Sequence, residues 1–385
     1  MYRMFACAFV WILFVGAAPA QEVASLLLRI KAVGREGVGN VDAARAWKEL
    51  VAKGPGVMPD ILTGMDDANP VAVNWLRGAV EAIHDRAVKG GRAIPADKLE
   101  AFLKDTRHAG RSRRLAYECL VRLDPKTPER LLPKMLDDPG SELRRDAVAV
   151  KLNYGLRTAF TDGEAQRQYF QDLLRYARDN DQVNTITKEL KKTGLDVDLT
   201  AQFGFVTRWL LVGPFDNVKG VGFNNAYPPE KAFDVKSVFV GKDGDQVKWK
   251  DYTVVTKAGP IDLKKVGLVD LNDAFGKLKG AVVYGYAAIE SRLERPVELR
   301  AGSNNAVRMY LNGKEIYFRE EYHHGFDMDQ HVGKGVLKAG RNEILIKVCQ
   351  NEQTESWAQL WSFQLRVCDA LGGAAPVTNV TPKVN

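Results

Sequence analysis

The spacing of apolar residues changes once along the chain, close to Gly204. Before that point apolar side chains recur every three to four positions, as in Leu26, Ile30 and Val33, and this period predicts amphipathic helices. Helix-breaking residues such as Gly54-Pro55-Gly56 occur at short intervals, so the helices should be short and joined by tight turns. Beyond Gly204 apolar and polar positions alternate, which is typical of half-buried β-strands. The pattern therefore predicts helices followed by strands.

The helical half contains two similar windows, offset by 70 to 71 residues over most of their length. In each window a helix ends near a proline, a second helix ends in paired aspartates (Asp66-Asp67 and Asp137-Asp138), and another helix follows. This pattern resembles HEAT-type repeats over residues 22–195, in which each helix pair buries its apolar face by stacking on the next. The resemblance implies an α-solenoid over residues 21–200 that presents a surface to a protein partner. An irregular helical bundle is the alternative.

The second half is predicted to form short strands. The dipeptide Asn312-Gly313 predicts a type I′ hairpin, because both residues accept positive φ angles. In the last run, Trp357, Gln359, Trp361, Phe363, Leu365 and Val367 share one face, which we expect in the core. The turns and strands together predict an antiparallel β-sandwich or jelly roll. The strand-like runs are 207–217, stopped by a turn at Gly213-Pro214, then 247–255, 281–289, 297–301, 307–311, 316–318, 335–337, 343–348 and 357–367.

Several strings in this half resemble a known kind of module. They are WLLVGPFDN at residues 209–217, Gly222-Phe223, YPPE at 227–230, LNGK at 311–314, Asp329-Gln330 and LKAGRNEILIKV at 337–348. Together they resemble galactose-binding-like and related carbohydrate-binding jelly rolls of exported proteins from environmental bacteria. The resemblance spans about residues 205–368. It implies a galactose-binding-like β-sandwich over residues 204–370 that binds carbohydrate or a cell-envelope polymer.

The two ends of the chain carry signals of a different kind. Arg3, an apolar run over residues 5–15 and Ala18-Pro19-Ala20 have the order of a secretory signal peptide, here residues 1–20. The apolar run is shorter than the ~20 residues that span a bilayer, although an uncleaved anchor is the alternative. We therefore expect a periplasmic or extracellular protein without a membrane span in the mature chain. Residues 371–385 lack periodicity and large apolar side chains, and we expect them to be disordered.

The net charge of +7 does not indicate nucleic acid as a partner. Residues 21–200 carry 30 positive and 27 negative side chains, and residues 201–385 carry 24 and 21, so each half carries +3. A phosphate-binding surface needs positive charge concentrated on one face, whereas both signs are interspersed here.

Cysteine usage is compatible with export. Cys349 and Cys368 lie at the ends of successive strand-like runs, so a disulfide between them is one interpretation and two unpaired thiols are the other. The spacing of Cys and His residues predicts no zinc site. We expect no cofactor. Calcium is frequent in modules of the resembled kind, but no spacing identifies its ligands, and the metal content stays open.

The segment 320–331 is the strongest candidate site, because it holds three of the five histidines together with four carboxylates. Imidazole and carboxylate could ligate a divalent metal, could form the rim of a sugar site with Tyr322 stacked on a pyranose ring, or could belong to a solvated connection. Trp249 alternates with charged residues and either exposes an aromatic face or packs in the core. The candidate carbohydrate-binding residues are Trp249, Tyr322, His324, Asp327 and Asp329.

The sequence contains no recognisable catalytic motif, such as a nucleophile elbow, an H-E-x-x-H helix, a P-loop or a dinucleotide fingerprint. We therefore predict a non-enzymatic exported binding protein, whose repeats engage a protein and whose β-sandwich engages a glycan. The alternatives are a polysaccharide hydrolase or lyase that uses the segment 320–331, and a purely structural scaffold.

Overall fold

The computed structural model describes residues 19–255 and 261–384, so the predicted signal peptide lies almost wholly outside the described residues. Helices come first and antiparallel sheets follow, as the change of period near Gly204 predicts. The helices are α1 (Pro19–Lys31), α2 (Asn40–Ala52), α3 (Met58–Gly64), α4 (Pro70–Lys89), α5 (Ala96–Lys104), α6 (Gly110–Leu123), α7 (Thr127–Leu131), α8 (Ser141–Arg157), α9 (Gly163–Leu174), α10 (Asn180–Lys192), α11 (Leu199–Phe203), α12 (Val221–Asn224) and α13 (Leu271–Phe275). The strands are β1 (Arg208–Asp216), β2 (Val238–Val240), β3 (Gln246–Lys248), β4 (Lys250–Thr253), β5 (Val269–Asp270), β6 (Ala281–Ser291), β7 (Arg295–Ser303), β8 (Ala306–Leu311), β9 (Lys314–Arg319), β10 (His331–Leu337), β11 (Gly340–Gln350), β12 (Ser362–Cys368) and β13 (Val377–Asn379).

Within the ranges described, none of these helices combines the length and apolar character that crossing a bilayer requires.

The chain divides into two compact units between Val150 and Lys151, and helix α8 contains the point of division. The first unit is helical and buries one apolar cluster that runs from Val23 on α1 to Ala147 on α8. The order α2, α3, α4 in the first of the similar windows corresponds to α6, α7, α8 in the second. The internal similarity of the sequence therefore has a counterpart in the order of the helices.

The paired aspartates of the two windows hold the turns of this helical unit together. One carboxylate oxygen of Asp66 accepts hydrogen bonds from the Ala109 N–H (2.9 Å) and the Ser112 hydroxyl (3.0 Å) at the start of α6. Asp138 accepts from the guanidinium of Arg113 (2.9 and 2.5 Å) and from the Gly140 N–H (2.8 Å). A carboxylate at a helix start satisfies donors that have no partner within the helix. These residues are therefore structural.

Helices α9 to α11 belong to the second unit, together with the sheets. The side-chain oxygen of Asn180 accepts from the Leu263 N–H (2.8 Å), and the Asn184 amide donates to the Ile261 carbonyl (2.9 Å). The carbonyl of Phe203 accepts from Arg366 of β12 (3.1 Å). The predicted boundary at residues 200–204 thus marks the change from helix to strand, whereas the compact units separate at Val150.

The sheets of the second unit are antiparallel. The larger sheet has the order β4-β1-β6-β11-β8-β9, with β13 also paired to β6, and the smaller sheet has the order β10-β7-β12-β5. Apolar side chains from both sheets form one core, in which Trp209 meets Phe363 edge-on at 5.2 Å between ring centroids. Leu299 and Ile346 contribute to the same core from β7 and β11. The two sheets therefore bury their facing sides together.

The outer faces of both sheets are covered as well. Segment 217–249 closes over the larger sheet and forms a second apolar cluster with residues such as Phe215 and Tyr284. On the smaller sheet the side chains of Gln364 and Arg366 point away from the core between the sheets, but other segments cover them. Gln364 donates to the Leu263 carbonyl (3.2 Å), and Arg366 donates to the Phe203 carbonyl (3.1 Å). Polar side chains on an outer face can be buried here because each has a hydrogen-bond partner.

Several predicted strands differ from the structure in their limits. Gly213-Pro214 does not stop β1, which continues to Asp216 through a shift of register between Val212 and Phe215. Proline lacks an N–H donor, and an irregularity in the ladder accommodates it. Run 247–255 divides into β3 and β4. The Asn312-Gly313 hairpin is confirmed, with φ angles of 52° and 75° at its two residues.

The C-terminal residues form regular structure, in contrast to the disorder expected for 371–385. Strand β13 pairs with the far end of β6, where Val377 lies opposite Ser291. Thr381 is buried, and its hydroxyl accepts from the Ala288 N–H (3.1 Å). This strand was not predictable from the sequence, because three residues are too few to show a period of apolar positions. Pairing with an existing sheet stabilises them instead.

Cys349 and Cys368 are unpaired, so the disulfide interpretation does not hold. Cys349 follows Val348, which points into the core between the sheets, so its own side chain lies on the outer face of the larger sheet. Cys368 likewise follows the core residue Val367 and points away from the core on the smaller sheet. The two thiols therefore lie on opposite outer faces, beyond the reach of an S–S bond.

Candidate functional site

The ends of many strands meet at one end of the two sheets, which we call the loop end. Ala281, the first residue of β6, lies opposite both Asp216 at the end of β1 and Gln350 at the end of β11. Strands β8, β10 and β12 also begin here, and β7 and β9 end here. The connections at the loop end are 217–220, 276–280, 304–305, 320–330 and 351–361. Loops gathered at one end of a rigid scaffold are where binding sites commonly lie.

The connection 351–361 is held in place by side chains of three other segments. These side chains donate hydrogen bonds to three consecutive backbone carbonyls of the loop, those of residues 358–360. Within the loop, the side-chain amide of Gln359 donates to the carbonyls of Thr354 (2.7 Å) and Glu355 (2.8 Å). A loop fixed in this way needs little further ordering when it binds a ligand. The pairs are Ala358 O with Lys279 Nζ (2.6 Å), Gln359 O with Asn272 Nδ2 (2.8 Å) and Leu360 O with Asn305 Nδ2 (2.8 Å).

This fixed loop exposes two large apolar side chains. Trp357 is 59% exposed and Leu360 is 61% exposed. The ring of His323 meets Trp357 edge-on, with 5.6 Å between centroids and 83° between planes. The Nε2 atom of His323 lies 2.5 Å from Asn351 Oδ1, and Asn351 donates to Gln353 Oε1 (2.8 Å). We call these five residues the Trp357 platform.

The chemistry of the platform is that of a sugar-binding surface. Because the oxygen of Asn351 can only accept, Nε2 of His323 carries a proton, and Nδ1 is an acceptor whenever the ring is neutral. Gln353 adds an amide, and Trp357 offers an aromatic face. An exposed aromatic ring surrounded by a few oriented polar groups suits a ligand with one apolar face and hydroxyl groups at its edge.

Two of the predicted site residues lie at the loop end beside the platform. The hydroxyl of Tyr322 accepts from the Asn217 amide (3.2 Å), and burial is the main cause that raises the pKa of Tyr322 to about 12. His324 is half-buried, and its Nδ1 lies 2.8 Å from the Gln330 amide nitrogen. Tyr322 and His324 thus both lie in the connection 320–330, and both already hydrogen-bond within the protein.

The two predicted aspartates are tied into ion pairs. Asp327 is exposed and lies 2.6 Å from the Lys264 ammonium. Asp329 accepts from Arg366 at 2.6 and 2.5 Å and from Arg300 at 2.9 Å. Burial alone would raise the pKa of Asp329, but the guanidinium of Arg366 outweighs it and holds that pKa below its usual range. Asp329 is therefore a structural anion.

Trp249 is not at the site. It is 1% exposed and lies on the outer face of the larger sheet, where its ring contacts Phe233, Phe239 and Tyr286. Its neighbour Lys248 is exposed, whereas Lys250 is half-buried over the ring of Phe275, so Trp249 packs in the core.

The histidines of the segment 320–331 do not form a metal centre in the structure. No group of three or more His, Cys, Asp or Glu side chains within residues 19–255 and 261–384 converges to hold a metal ion. His324 and His331 contact each other edge-to-face at 5.6 Å, and His331 Nδ1 lies 3.0 Å from the Tyr317 hydroxyl. Burial lowers the pKa of His331 to about 4, so its ring is neutral at neutral pH.

Two of the sequence strings that suggested the β-module, YPPE at 227–230 and LKAGRNEILIKV at 337–348, meet in a buried network. Glu230 of YPPE accepts from Lys347 (2.8 Å), from Tyr310 (2.7 Å) and from Tyr284. The buried Lys347 ammonium also donates to the carbonyl of Asn225 (2.7 Å). These hydrogen bonds outweigh the effect of burial and hold the pKa of Glu230 below its usual range. The strings therefore specify how segment 217–230 attaches to the sheet.

No protein-family model and no curated protein matches the chain. Among solved structures, an anti-sigma factor domain-containing protein is similar at 14% identity and a TM-score of 0.25, over 44% of this chain and 48% of that one. A PA14 sugar-binding domain from an RTX adhesin is similar at 17% identity and a TM-score of 0.23, over 45% of this chain and 96% of that one. A β-glucosidase from Kluyveromyces marxianus is similar at 10% identity and a TM-score of 0.25, over 76% of this chain and 35% of that one.

The chain thus spans about half of the first of these proteins and about a third of the glucosidase. Such low TM-scores establish no common fold.

Proposed function

We propose that the second unit is a galactose-binding-like β-sandwich that binds carbohydrate or a cell-envelope polymer through the Trp357 platform. The observation that carries the proposal is the exposure of Trp357 and Leu360 on a loop whose backbone is fixed by Lys279, Asn272 and Asn305. Covering exposed apolar surface with a ligand lowers the free energy, because that surface is removed from water. A loop that is already fixed loses little conformational entropy when the ligand binds.

The polar members of the platform support a sugar rather than a purely apolar ligand. The edge of His323 is oriented by Asn351, whose own amide is oriented by Gln353. Hydroxyl groups of a pyranose can both donate to the imidazole Nδ1 and accept from an amide, while the C–H face of the ring covers the indole.

We propose that this binding is not catalytic. Glycoside hydrolysis needs two carboxyl groups that face each other across the scissile bond, one of them able to donate a proton. Three of the four carboxylates of the segment 320–331 are engaged elsewhere: Asp329 with Arg366, Asp327 with Lys264, and Glu321 with Arg319 at 2.6 Å. An ionised carboxylate held by a guanidinium is a poor proton donor.

Affinity gels with a panel of soluble polysaccharides test the proposal. We expect the full chain to be retained by at least one polymer and Trp357→Ala to lose about 2 kcal/mol of binding, about thirtyfold in affinity. Leu293→Ala is the matched control, because Leu293 is 50% exposed in the turn at the opposite end of the sheets. Retention of Trp357→Ala equal to that of the wild type would contradict the proposal.

For the helical unit we propose a HEAT-like arrangement that binds a protein partner near the turn between α1 and α2. Leu28, Val38 and Val41 lie around this turn and are 64 to 70% exposed. Cross-linking in cells followed by mass spectrometry should recover a partner that is lost in Leu28→Glu combined with Val41→Glu. An unchanged set of cross-linked proteins would count against this surface.

We also propose that the protein acts in the periplasm or outside the cell, after removal of residues 1–20. The order of charged, apolar and small residues at the N-terminus supports export. N-terminal sequencing of the protein from fractionated cells should give Gln21 as the first residue. A cytoplasmic protein that begins at Met1 would overturn this part of the proposal.

A further inference from the structure

Three side chains of the Trp357 platform form a hydrogen-bonded row from Gln353 through Asn351 to His323. The backbone N–H of Gln353 lies 3.1 Å from one side-chain atom of Asn351, and because an N–H can only donate, that atom is the oxygen Oδ1. The amide nitrogen of Asn351 therefore faces the side chain of Gln353 and donates to its Oε1 atom (2.8 Å). The direction of both hydrogen bonds is thus fixed.

The row leaves one polar atom of opposite kind at each end. At the His323 end, Nε2 donates to Asn351 Oδ1 (2.5 Å), so Nδ1 of the neutral ring is an acceptor. At the Gln353 end, Oε1 accepts from Asn351, so the amide nitrogen Nε2 is a donor. Among the residues that the structure describes, neither His323 Nδ1 nor Gln353 Nε2 has a hydrogen-bond partner, and neither atom is fully buried. Both are therefore available to a ligand.

The backbone holds this row in place. His323 has a φ angle of 54°, and its N–H donates to Asn305 Oδ1 (3.4 Å). A positive φ is uncommon for residues other than glycine, and it persists where neighbouring contacts hold the backbone, often at ligand-binding sites. The Asn351 carbonyl accepts from the Gly280 N–H (2.9 Å). The acceptor and the donor therefore keep their positions before a ligand arrives.

We infer that the Trp357 platform recognises the acetamido group of N-acetylated amino-sugar chains, an inference that rests on the proposed function. An acetamido group carries an N–H donor and a C=O acceptor that point in opposite directions across a planar amide. The N–H can donate to His323 Nδ1 while the C=O accepts from the Gln353 amide. The methyl group and the C–H face of the sugar then cover the exposed surface of Trp357 and Leu360.

A hydroxyl group at the same carbon of the sugar matches the platform less well. It has no methyl group for the apolar surface, and its donor and acceptor are one oxygen atom instead of two separate atoms. A hydroxyl can also exchange its role, because its oxygen both donates and accepts, whereas an amide N–H only donates and an amide C=O only accepts. Replacing a donor of the platform by an acceptor therefore affects the two groups differently.

Isothermal titration calorimetry of the full chain tests the inference at pH 8, where an imidazole is ordinarily neutral. The probes are tetra-N-acetylchitotetraose and cellotetraose, two β-1,4-linked chains that differ only in the acetamido or hydroxyl group at each C2. The wild type is compared with Gln353→Glu, in which one oxygen still accepts from Asn351 and the other replaces the free donor. Ser356→Glu is the matched control, because it adds the same charge at an exposed position of the same loop.

We expect the wild type to bind the N-acetylated chain about tenfold more tightly than cellotetraose, because one more hydrogen bond and the methyl contact are formed. Gln353→Glu should weaken binding of the N-acetylated chain about tenfold, since two acceptors would then face each other. Its affinity for cellotetraose should change less than about threefold, because a hydroxyl can donate to the new carboxylate. Ser356→Glu should keep the preference of the wild type.

The outcomes separate this inference from the proposed function. Equal binding of the two chains by the wild type overturns acetamido recognition, and so does an equal change for both chains in Gln353→Glu. In either case the proposed function stands if Trp357→Ala loses affinity for both chains. If neither chain binds the wild type, the inference fails and the affinity gels decide the proposed function. If Trp357→Ala binds like the wild type, both fail.

Discussion

At the scale of single residues, buried charge decides how the sheets are covered. Lys347 is fully buried, and its ammonium is shared between the carboxylate of Glu230 and backbone carbonyls of segment 223–225. Arg366 of the smaller sheet is likewise fully buried, and it pairs with Asp329, whose side chain is 19% exposed. Such pairs add little net stability compared with apolar side chains, but losing one partner leaves the other unpaired in a medium of low polarity.

We predict that Lys347→Met lowers the free energy of unfolding by about 3–5 kcal/mol, because Glu230 would remain buried without its counter-charge. Urea titration followed by tryptophan fluorescence measures the change. The control is Glu321→Gln, which removes one partner of an exposed pair with Arg319 and should cost less than about 1 kcal/mol. Equal losses in the two variants would show that the Glu230–Lys347 pair is not what attaches segment 217–230.

At the scale of elements, short segments gain their structure from the strands they join. The hairpin at Asn312 interlocks with the turn before β11: the Asn312 amide donates to Asn342 (2.9 Å), and the Glu343 N–H donates to Asn312 (3.0 Å). Asn342 in turn donates to the carbonyls of Lys338 and Gly340, both at 2.9 Å. The LNGK and LKAGRNEI strings therefore hydrogen-bond to each other and hold the β8–β9 hairpin against the start of β11.

Strand β13 is a second case, and its removal should be costly. A chain that ends after Pro376 loses Thr381, whose hydroxyl pairs with the Ala288 N–H and whose carbonyl accepts from Arg208 (2.9 Å). We predict a loss of about 2–4 kcal/mol, because these groups lose their partners. Thermal unfolding compares this chain with one that ends after Thr381, which should unfold close to the full chain. Identical unfolding of all three chains would instead fit a disordered C-terminal segment.

In the whole molecule, the period of the apolar pattern predicted the order of helices and sheets. A helix buried on one face repeats its apolar residues every three to four positions, and a strand buried on one face repeats them every two. The pattern also suggested two units, but the compact division lies at Val150. Helix α10 hydrogen-bonds to residues 261–263 and α11 to Arg366, and no local pattern reveals these contacts. The Asn312-Gly313 turn was predictable because its backbone angles depend on the two residues themselves.

The candidate site was predictable only in part. Tyr322 and His324 do lie at the loop end, but the roles expected for two tryptophans are reversed: Trp249 is buried and Trp357 is exposed. Trp357, Gln359 and Trp361 occupy alternate positions, the spacing expected for one face of a strand, but β12 begins only at Ser362. The polar run 351–356 was the available signal of a loop. The hydrogen bonds that fix this loop come from residues far away in the sequence.

The most direct test of the account is whether a sugar contacts Trp357. The indole N–H signals of the full chain, with Trp357 assigned from its absence in Trp357→Phe, can be followed by NMR during titration with chito-oligosaccharide. We expect the Trp357 signal to shift in a saturable way, while the signals of the buried Trp209, Trp249 and Trp361 stay in place. A Trp357 signal that does not move while the oligosaccharide binds, or shifts confined to other tryptophans, would contradict it.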